Sequence, residues 1–481
     1  MTELLLPNLA IAQARLQEIW GYSTFRPPQD TVIQALLQHQ DALIILPTGG
    51  GKSLCFQLPA LLQTGLTLVV SPLVALMENQ VQELRDRQLP AATLHSELSR
   101  REKFRVLKAL EHQRLRLLYL SPETLLSPPI WKQLTRPDLL INGLVLDEAH
   151  CLAQWGDTFR PAYRRLGAVR QALEHSKSSR TKIPIAAFTA TADAKVQKII
   201  RSTLQLRSPE VVRLSPYRAN LTLAIRTVYT PRGRKQQLLK LVQQQPQTGL
   251  VYVRTRRDSE ALADWLRQQG HRAVGYHAGL SASDRRMREQ AWMNNRVPIV
   301  VATNAFGMGI NKSDVRWILH YHVPTLLAEY VQEIGRAGRD GQPAEAVSLV
   351  SERTGLLDPT DRQRSQFFRR QTQQLQEQAL KLSQKIPAVG SLIDVRNQHK
   401  EGAIALSSLH SQGLLEWTDP FHYRLKPPSP DFSPITPSTD QAMQKFLHSH
   451  GCRWQLLIQQ FGFRHADQTD WRCEHCDNCQ R

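Results

Sequence analysis

From residue 42 onward the chain repeats one unit: a short apolar run, a turn, then a stretch with apolar positions three and four apart. The runs ALIILP (42–47), TLVVSP (67–72), LRLLYLSP (115–122), GLVLDEAH (143–150) and PIAAFTATA (184–192) come first. Continuous apolar runs predict strands buried on both faces of a parallel sheet, since a half-exposed strand would alternate. The rhythm pauses over LRSPEVVRLSPYRANL (206–221), which is rich in Pro and Ser. It resumes with GLVYVRT (249–255), RAVGYHAG (272–279), PIVVATNAF (298–306), VRWILHYHVP (315–324) and EAVSLVS (345–351). The expected class is α/β, with two tandem parallel-sheet domains over 1–208 and 209–352.

After residue 352 that rhythm stops. A glutamine-rich stretch, RRQTQQLQEQALKLSQKI, predicts a helix, and GAIALSSLHSQGLLEWTDPFHYRL predicts a second helix followed by two short strands joined at TDP. Residues 353–430 therefore read as a winged-helix-like segment, suited to duplex DNA or to a protein contact. Ile404, Leu406 and Leu409 would form the apolar side of its helix, with His422 and Arg424 near an exposed hairpin. KPPSPDFSPITPSTD (426–440) has linker composition, with 431–440 as the boundary. A small helical module over 441–481 carries Cys452, Cys473, Cys476 and Cys479, four of the chain's six cysteines.

Charge changes the picture next. Among 481 residues, 61 Lys and Arg face 42 Asp and Glu, a formal +19 that points to a polyanion such as nucleic acid. The N-terminal MTELLLPNLAIAQARLQEIW has no basic flank before its apolar run, so it does not read as a secretory signal. No apolar stretch has the length to span a bilayer. A cytoplasmic setting is expected, where thiols stay reduced and disulfides are disfavoured. Four thiolates at C-x2-C-x2-C plus one upstream would close a tetrahedral Zn²⁺ shell, a structural site; an iron–sulfur cluster uses the same ligands. Trp454, Leu456, Leu457 and Phe461 should pack the upstream helix on the metal knuckle, with His475 facing solvent. Cys55 and Cys151 read as small core residues.

LPTGGGKSLCFQLPA (46–60) follows a buried strand and should open a helix. Backbone N–H groups of Gly49, Gly50 and Gly51 could cradle phosphates at that helix N-terminus, with Lys52 neutralising them and Ser53 holding Mg²⁺. Leu46 occupies a position where glycine is usual. At the end of another buried strand, Asp147 can orient a Mg²⁺ shell and Glu148 can polarise the attacking water. In the second domain QEIGRAGRDG (332–341) offers Arg336 and Arg339, three apart as on one helical face, to stabilise transition-state charge.

Taken in order, these segments resemble superfamily 2 helicases, specifically the RecQ family of DNA helicases, over residues 16–351. FRPPQ (25–29) is similar to the adenine-reading motif. VVSPLVALMENQV, YLSPETLL, AFTATA, YHAGL, VVATNAFGMGINKSDVRWILHY and YVQEIGRAGRDG are similar to the successive helicase motifs. DEAHCLAQWGDTFRPAY (147–163) resembles the family's aromatic-rich loop, and CRWQLLIQQFG…CEHCDNC its zinc module. The resemblance implies two RecA-like domains and ATP-dependent 3′→5′ unwinding of duplex or forked DNA in recombination and repair, with ATP, Mg²⁺ and Zn²⁺. It implies nucleotide contacts from Arg26, Gln29 and Thr48, a catalytic part for His150, and DNA contacts from Trp155, Phe159 and Arg160. Thr189 and Thr191 would couple ATP state to strand grip. Pro28 and Ile334 depart from the pattern without replacing a catalytic group. Residues 355–430 fit less well, because the zinc module usually follows the motor directly. A short form is implied, without a C-terminal helicase-and-RNase-D-like domain. Protein partners stay open, a single-stranded-DNA-binding protein among them. Two rival readings are an RNA-remodelling helicase and a DNA-binding protein on an inactive ATPase scaffold.

Overall fold

Strands β1 (Ala42–Ile45), β2 (Leu66–Val70), β3 (Ala91–Leu94), β4 (Leu117–Leu120), β5 (Ile141–Leu146), β6 (Ile185–Thr189) and β7 (Glu210–Arg213) form one parallel sheet in the order β3-β4-β2-β5-β6-β1-β7. The structure is a computed structural model, and it describes residues 8–154, 160–177, 182–306, 312–352, 354–427, 441–463 and 471–480. Every residue of the five inner strands is buried, which is why those strands appear as unbroken apolar runs. Buried Asp41, just before β1, accepts from Ile185 N at 2.8 Å and Arg207 N at 2.6 Å and pairs with Arg170 at 2.6 Å. One carboxylate thus fixes where β6 begins, and a pair so dry is costly to break from one side.

The second sheet contains β8 (Leu221–Val228), β9 (Gly249–Tyr252), β10 (Ala273–Tyr276), β11 (Ile299–Ala302), β12 (Trp317–His320) and β13 (Ala344–Ser351), in the order β10-β11-β9-β12-β13-β8, also parallel. Gly249 lies under Trp317: a Cβ there would meet the indole at 2.0 Å, so only glycine admits that ring.

The chain divides into two compact units, residues 1–214 with 372–437, and residues 215–371 with 438–481. The sequence placed the domain boundary at 208/209, but β7 pairs in register with β1 from Ala42↔Glu210 to Ile45↔Arg213 and so belongs to the first sheet. The helix Thr360–Ser383 carries the chain from the second unit to the first.

Within the first unit, β14 (Val389–Ser391), β15 (Leu415–Trp417) and β16 (His422–Leu425) form an antiparallel sheet ordered β14-β16-β15, beside helices Leu392–Gln398 and Gly402–Ser411. The predicted helix and two strands are present, with Leu406 and Leu409 fully buried and Ile404 only partly. His422 and Arg424 are exposed, as expected. The hairpin tip is not: Phe421 packs edge-on against Trp131 at 5.4 Å, and Arg165 Nη1 donates to Pro420 O at 3.1 Å. Helix Gly402–Ser411 packs on the 3-10 helix Pro161–Ala168, and Ala168 joins the apolar cluster of Leu406, Leu409, Trp417 and Tyr423.

In the second unit the cysteine module covers the β8 edge. Asp477 N donates to Leu223 O at 3.0 Å, and Asp477 Oδ2 accepts from Ile225 N at 3.0 Å. Trp454 Nε1 donates to Leu221 O at 3.0 Å, while Trp454, Leu457 and Phe461 share a core with Leu221, Leu223 and Tyr330. An edge strand that would otherwise offer unpaired backbone groups is closed. Among the described residues no helix is long and apolar enough to cross a membrane. The expected linker at 431–440 lies outside the described residues.

Candidate nucleotide site and metal centre

Three adjacent strands deliver the candidate residues to one sheet edge. β5, β6 and β1 are neighbours, and their carboxyl ends lead into Asp147–Glu148, Thr189 and the glycine loop. Leu46 N donates to Thr189 O at 3.0 Å, Ala149 N to Phe188 O at 2.8 Å, and Asp147 N to Val70 O at 2.9 Å. The two loops are therefore held to β6 and β2 by backbone bonds. Ligands of open parallel sheets bind at such edges.

Gly49 and Gly51 take positive φ, +87° and +71°, and Gly51 caps the helix Lys52–Leu62, so this N-terminus presents its backbone N–H groups from a tight loop. Lys52 Nζ donates to Leu46 O at 3.1 Å and so lies over the loop it would serve. Thr48 and Ser53 are half-buried beside it. Gln29 is buried, accepts from Arg26 N at 3.0 Å and donates to Gly50 O at 3.4 Å. A Cβ on Gly51 would meet Gln29 Nε2 at 2.3 Å, a contact between the two motifs that their sequences do not announce. The Arg26 side chain is exposed.

Burial, then the neighbouring Glu148, raise the Asp147 carboxyl to about 7, against the pull of Lys52. Two crowded acids, one of them buried, form a donor set that a divalent cation would satisfy. Glu148 holds φ +51°, a sparsely populated conformation for a residue with a side chain. Its Oε2 lies 3.3 Å from His150 Nδ1, which lies 3.1 Å from Thr189 Oγ1. Thr189 Oγ1 donates to Thr191 O at 3.1 Å and accepts from Thr191 N at 3.2 Å. His150, Thr189 and Thr191 are all buried. Cys55 and Cys151 are fully buried, as expected of core residues.

Trp155 and Phe159 lie outside the described residues. Arg160 is described and forms an ion pair with Glu123 of the YLSPETLL segment at 2.9 Å.

In the second unit the helix Leu327–Ile334 ends at Gly335, and Gly338 has φ +57°. Arg336 and Arg339 therefore sit in the turns beyond the helix, not on one helical face as expected, because the glycines stop it. Arg336 is buried beside Tyr252, and Arg339 Nε donates to Gly335 O at 3.3 Å. Burial, then Arg336, lowers the Arg339 guanidinium to about 10.

Cys452, Cys473, Cys476 and Cys479 offer sulfur atoms that all lie within 4.8 Å of one another. Cys473 N donates to Cys452 Sγ at 3.3 Å and Arg453 N to Cys476 Sγ at 3.4 Å, the bonds expected of thiolate ligands. His475 does not face solvent as expected: it is half-buried, 3.2 Å from the Tyr217 hydroxyl, because Tyr217 fills the space against Trp454 and Trp471. Sequence reasoning missed Arg453 and Asp477. Arg453 Nε donates to Asp477 Oδ1 at 2.9 Å, clamping the two cysteine segments together. The signal was there: each is a charged residue next to a cysteine.

Comparison with known proteins fits this geometry. The family description DEAD/DEAH box helicase matches residues 26–199, and helicase conserved C-terminal domain matches 233–341. In solved structures the fold is shared with DEAD-box helicase Mss116 bound to ssRNA (TM-score 0.59, 17% identity, 73% of this chain and 74% of that one). It is also shared with Mycobacterium smegmatis helicase Lhr bound to ssDNA (TM-score 0.56, 20% identity, 73% and 48%). The two parallel sheets are thus two RecA-like domains. The ATP-dependent DNA helicase RecQ of Synechocystis sp. is 51% identical over 467 residues, 96% of this chain and 97% of that protein. The RecQ of Pasteurella multocida is 41% identical over 69% of this chain and 51% of its own length. This chain belongs to the RecQ family of ATP-dependent DNA helicases.

Proposed function

We propose that the chain couples ATP hydrolysis to 3′→5′ separation of duplex or forked DNA, in the service of recombination and repair. The observation that carries this reading is the position of Thr189, whose carbonyl accepts from Leu46 before the phosphate loop and whose hydroxyl meets His150 behind the acids. A group touching both loops is placed to report phosphate occupancy. Gln29 and Arg26 would take the adenine end, Thr48 to Lys52 the phosphates, and Ser53 with Asp147 a Mg²⁺ that neutralises phosphate charge. Glu148 would orient the attacking water and accept its proton. Arg336 and Arg339 would stabilise transition-state charge, and Trp155, Phe159 and Arg160 would contact single-stranded DNA.

The four cysteines fit a structural Zn²⁺, which would fasten two chain segments and leave no position for substrate. For residues 389–425 the docked hairpin tip and buried helix favour a brace on the motor over a grip on duplex DNA. One assay tests the main reading: ATP hydrolysis with no polymer, single-stranded DNA or RNA, beside strand displacement on forked DNA. Stimulation by DNA with displacement is expected. Equal or greater stimulation by RNA, with no DNA displacement, would move the protein to RNA remodelling.

A further inference from the structure

Tyr252, His320 and Ser348 lie side by side across three neighbouring strands of the second sheet. β12 pairs in register with β9 at His320↔Tyr252 and with β13 at His320↔Ser348. All three residues are buried. The imidazole also meets the helix Leu327–Ile334: His320 Nε2 donates to Glu333 Oε2 at 3.0 Å, and Glu333 is itself buried. With that proton given to the carboxylate, Nδ1 is left to accept from Ser348 Oγ, 3.3 Å away, so both ring nitrogens are used. The Tyr252 ring stacks on the imidazole with centroids 5.6 Å apart and planes 19° apart, and the Tyr330 ring lies 5.0 Å away.

Packing alone does not account for this pair. Leu327, Tyr330, Val331 and Ile334 already bury the apolar face of the helix in the core of the unit. A buried carboxylate and imidazole add little stability over apolar side chains of similar volume; what they supply is one fixed arrangement. That arrangement falls where direction matters. Glu333 stands in the last turn of the helix, Gly335 ends it, and Arg336 N donates to Glu333 O at 3.3 Å. The Arg336 side chain is buried beside Tyr252, the ring that stacks on His320. The imidazole therefore bears on Arg336 by two routes, one through the helix end and one through Tyr252.

We infer that Glu333 and His320 are positioning residues for Arg336. Their bond fixes the last turn of the helix, and with it the guanidinium that would meet charge developing in phosphoryl transfer. Both side chains are buried, so they act through Arg336 and not on the nucleotide. Transition-state stabilisation needs donors aimed before the charge appears, so a loosened helix end should cost turnover and spare ground-state binding.

The inference rests on the reading of Arg336 as a group that stabilises transition-state charge, and the test separates the two. ATP hydrolysis by the full chain is measured at saturating single-stranded DNA to give kcat and KM, beside the melting temperature. Glu333→Leu/His320→Phe removes both buried partners at similar volume and keeps a ring against Tyr252, so it should melt at or above the wild-type temperature. Its kcat should fall about 100-fold, the loss that a misplacement of about 1 Å brings, with KM for ATP within a few-fold of wild type. Arg336→Ala should lower kcat in the same way, and adding it to the double variant should cost little more, because the residues act as one unit. Glu333→Gln can still accept from His320 Nε2 and should recover most of kcat. If the double variant does not fold, Glu333→Gln/His320→Phe, which removes the imidazole and keeps a polar group on the helix, is measured in its place. A folded variant with wild-type kcat overturns the inference. So does a loss that multiplies with that of Arg336→Ala, or one carried by KM or by a lowered melting temperature alone. Wild-type kcat in Arg336→Ala overturns the reading of Arg336 itself, and the inference with it.

Discussion

His150 Nδ1 lies 3.1 Å from Thr189 Oγ1, and both residues are fully buried. The contact joins the acid-bearing turn after β5 to the end of β6. Because Thr189 also bonds to Thr191 in both directions, its hydroxyl is a junction and not a lone partner. Thr189→Val keeps the shape and removes the junction, leaving buried polar groups unpaired at a cost of about 1–3 kcal/mol. ATP hydrolysed per base pair opened should rise several-fold, and Thr189→Ser should restore it. A Val variant with wild-type coupling would confine the hydroxyl to a packing role.

Lys52 and Glu148 have separate positions and should fail differently. Lys52 overlies the glycine loop proposed to hold the phosphates, so Lys52→Ala should weaken nucleotide binding and abolish turnover. Glu148→Gln keeps shape and hydrogen-bonding capacity but loses the carboxylate proposed to activate water, so nucleotide should bind while hydrolysis falls by orders of magnitude. Wild-type turnover in Glu148→Gln would remove Glu148 from the water-activating role.

The physics explains which elements were legible. Four strands were missed, and β3, β7, β8 and β14 each lie at a sheet edge. β7 and β8 are partly exposed and lack the continuous apolar run that marks inner strands. β3 is buried but only four residues long, with two alanines and a threonine. The glycine loop, the acids and the cysteines were legible because their chemistry is local. Arg336 and Arg339 were misplaced because residue spacing cannot show that Gly335 ends a helix. The Arg165–Pro420 contact joins residues 255 apart in sequence, and no local pattern encodes it.

Gly51 tests the contact between the FRPPQ segment and the glycine loop, proposed to take the two ends of the nucleotide. Gly51→Ala puts a Cβ 2.3 Å from Gln29 Nε2 at a position with φ +71°, so both the side chain and the loop must give. Nucleotide affinity should fall about ten-fold, about 1.4 kcal/mol. If the steric clash acts through Gln29, adding Gln29→Ala should change little further, the non-additivity of touching residues. Additive losses measured by calorimetry would separate the two motifs.

The cysteine module should stabilise more than itself. Its aromatic residues lie in the core of the second unit, so Cys476→Ser should release metal and lower the melting temperature of that unit. One zinc per chain by atomic absorption is expected for the wild type, without visible absorption from iron. Asp477→Asn should keep the metal yet lower stability, because the Arg453 pair loses its charge. A fully stable, metal-free wild-type chain would end the structural-zinc reading.

The hairpin tip gives the sharpest choice between two functions. Were β15–β16 a wing for duplex DNA, its tip should be free, yet Phe421 packs on Trp131 and Pro420 O accepts from Arg165. The helix preceding it is spent on Pro161–Ala168, which follows directly on Arg160. A brace there would act by steadying the segment next to Arg160, one of the residues proposed to contact DNA. Phe421→Ala should therefore reduce DNA-stimulated ATP hydrolysis several-fold while fork affinity and its salt dependence stay unchanged. Trp131→Ala should give the same phenotype, and the double variant should be no worse than the stronger single one, because the two rings share one contact. The opposite pattern, weakened fork binding with a flattened salt slope and normal stimulation, would return the segment to duplex binding.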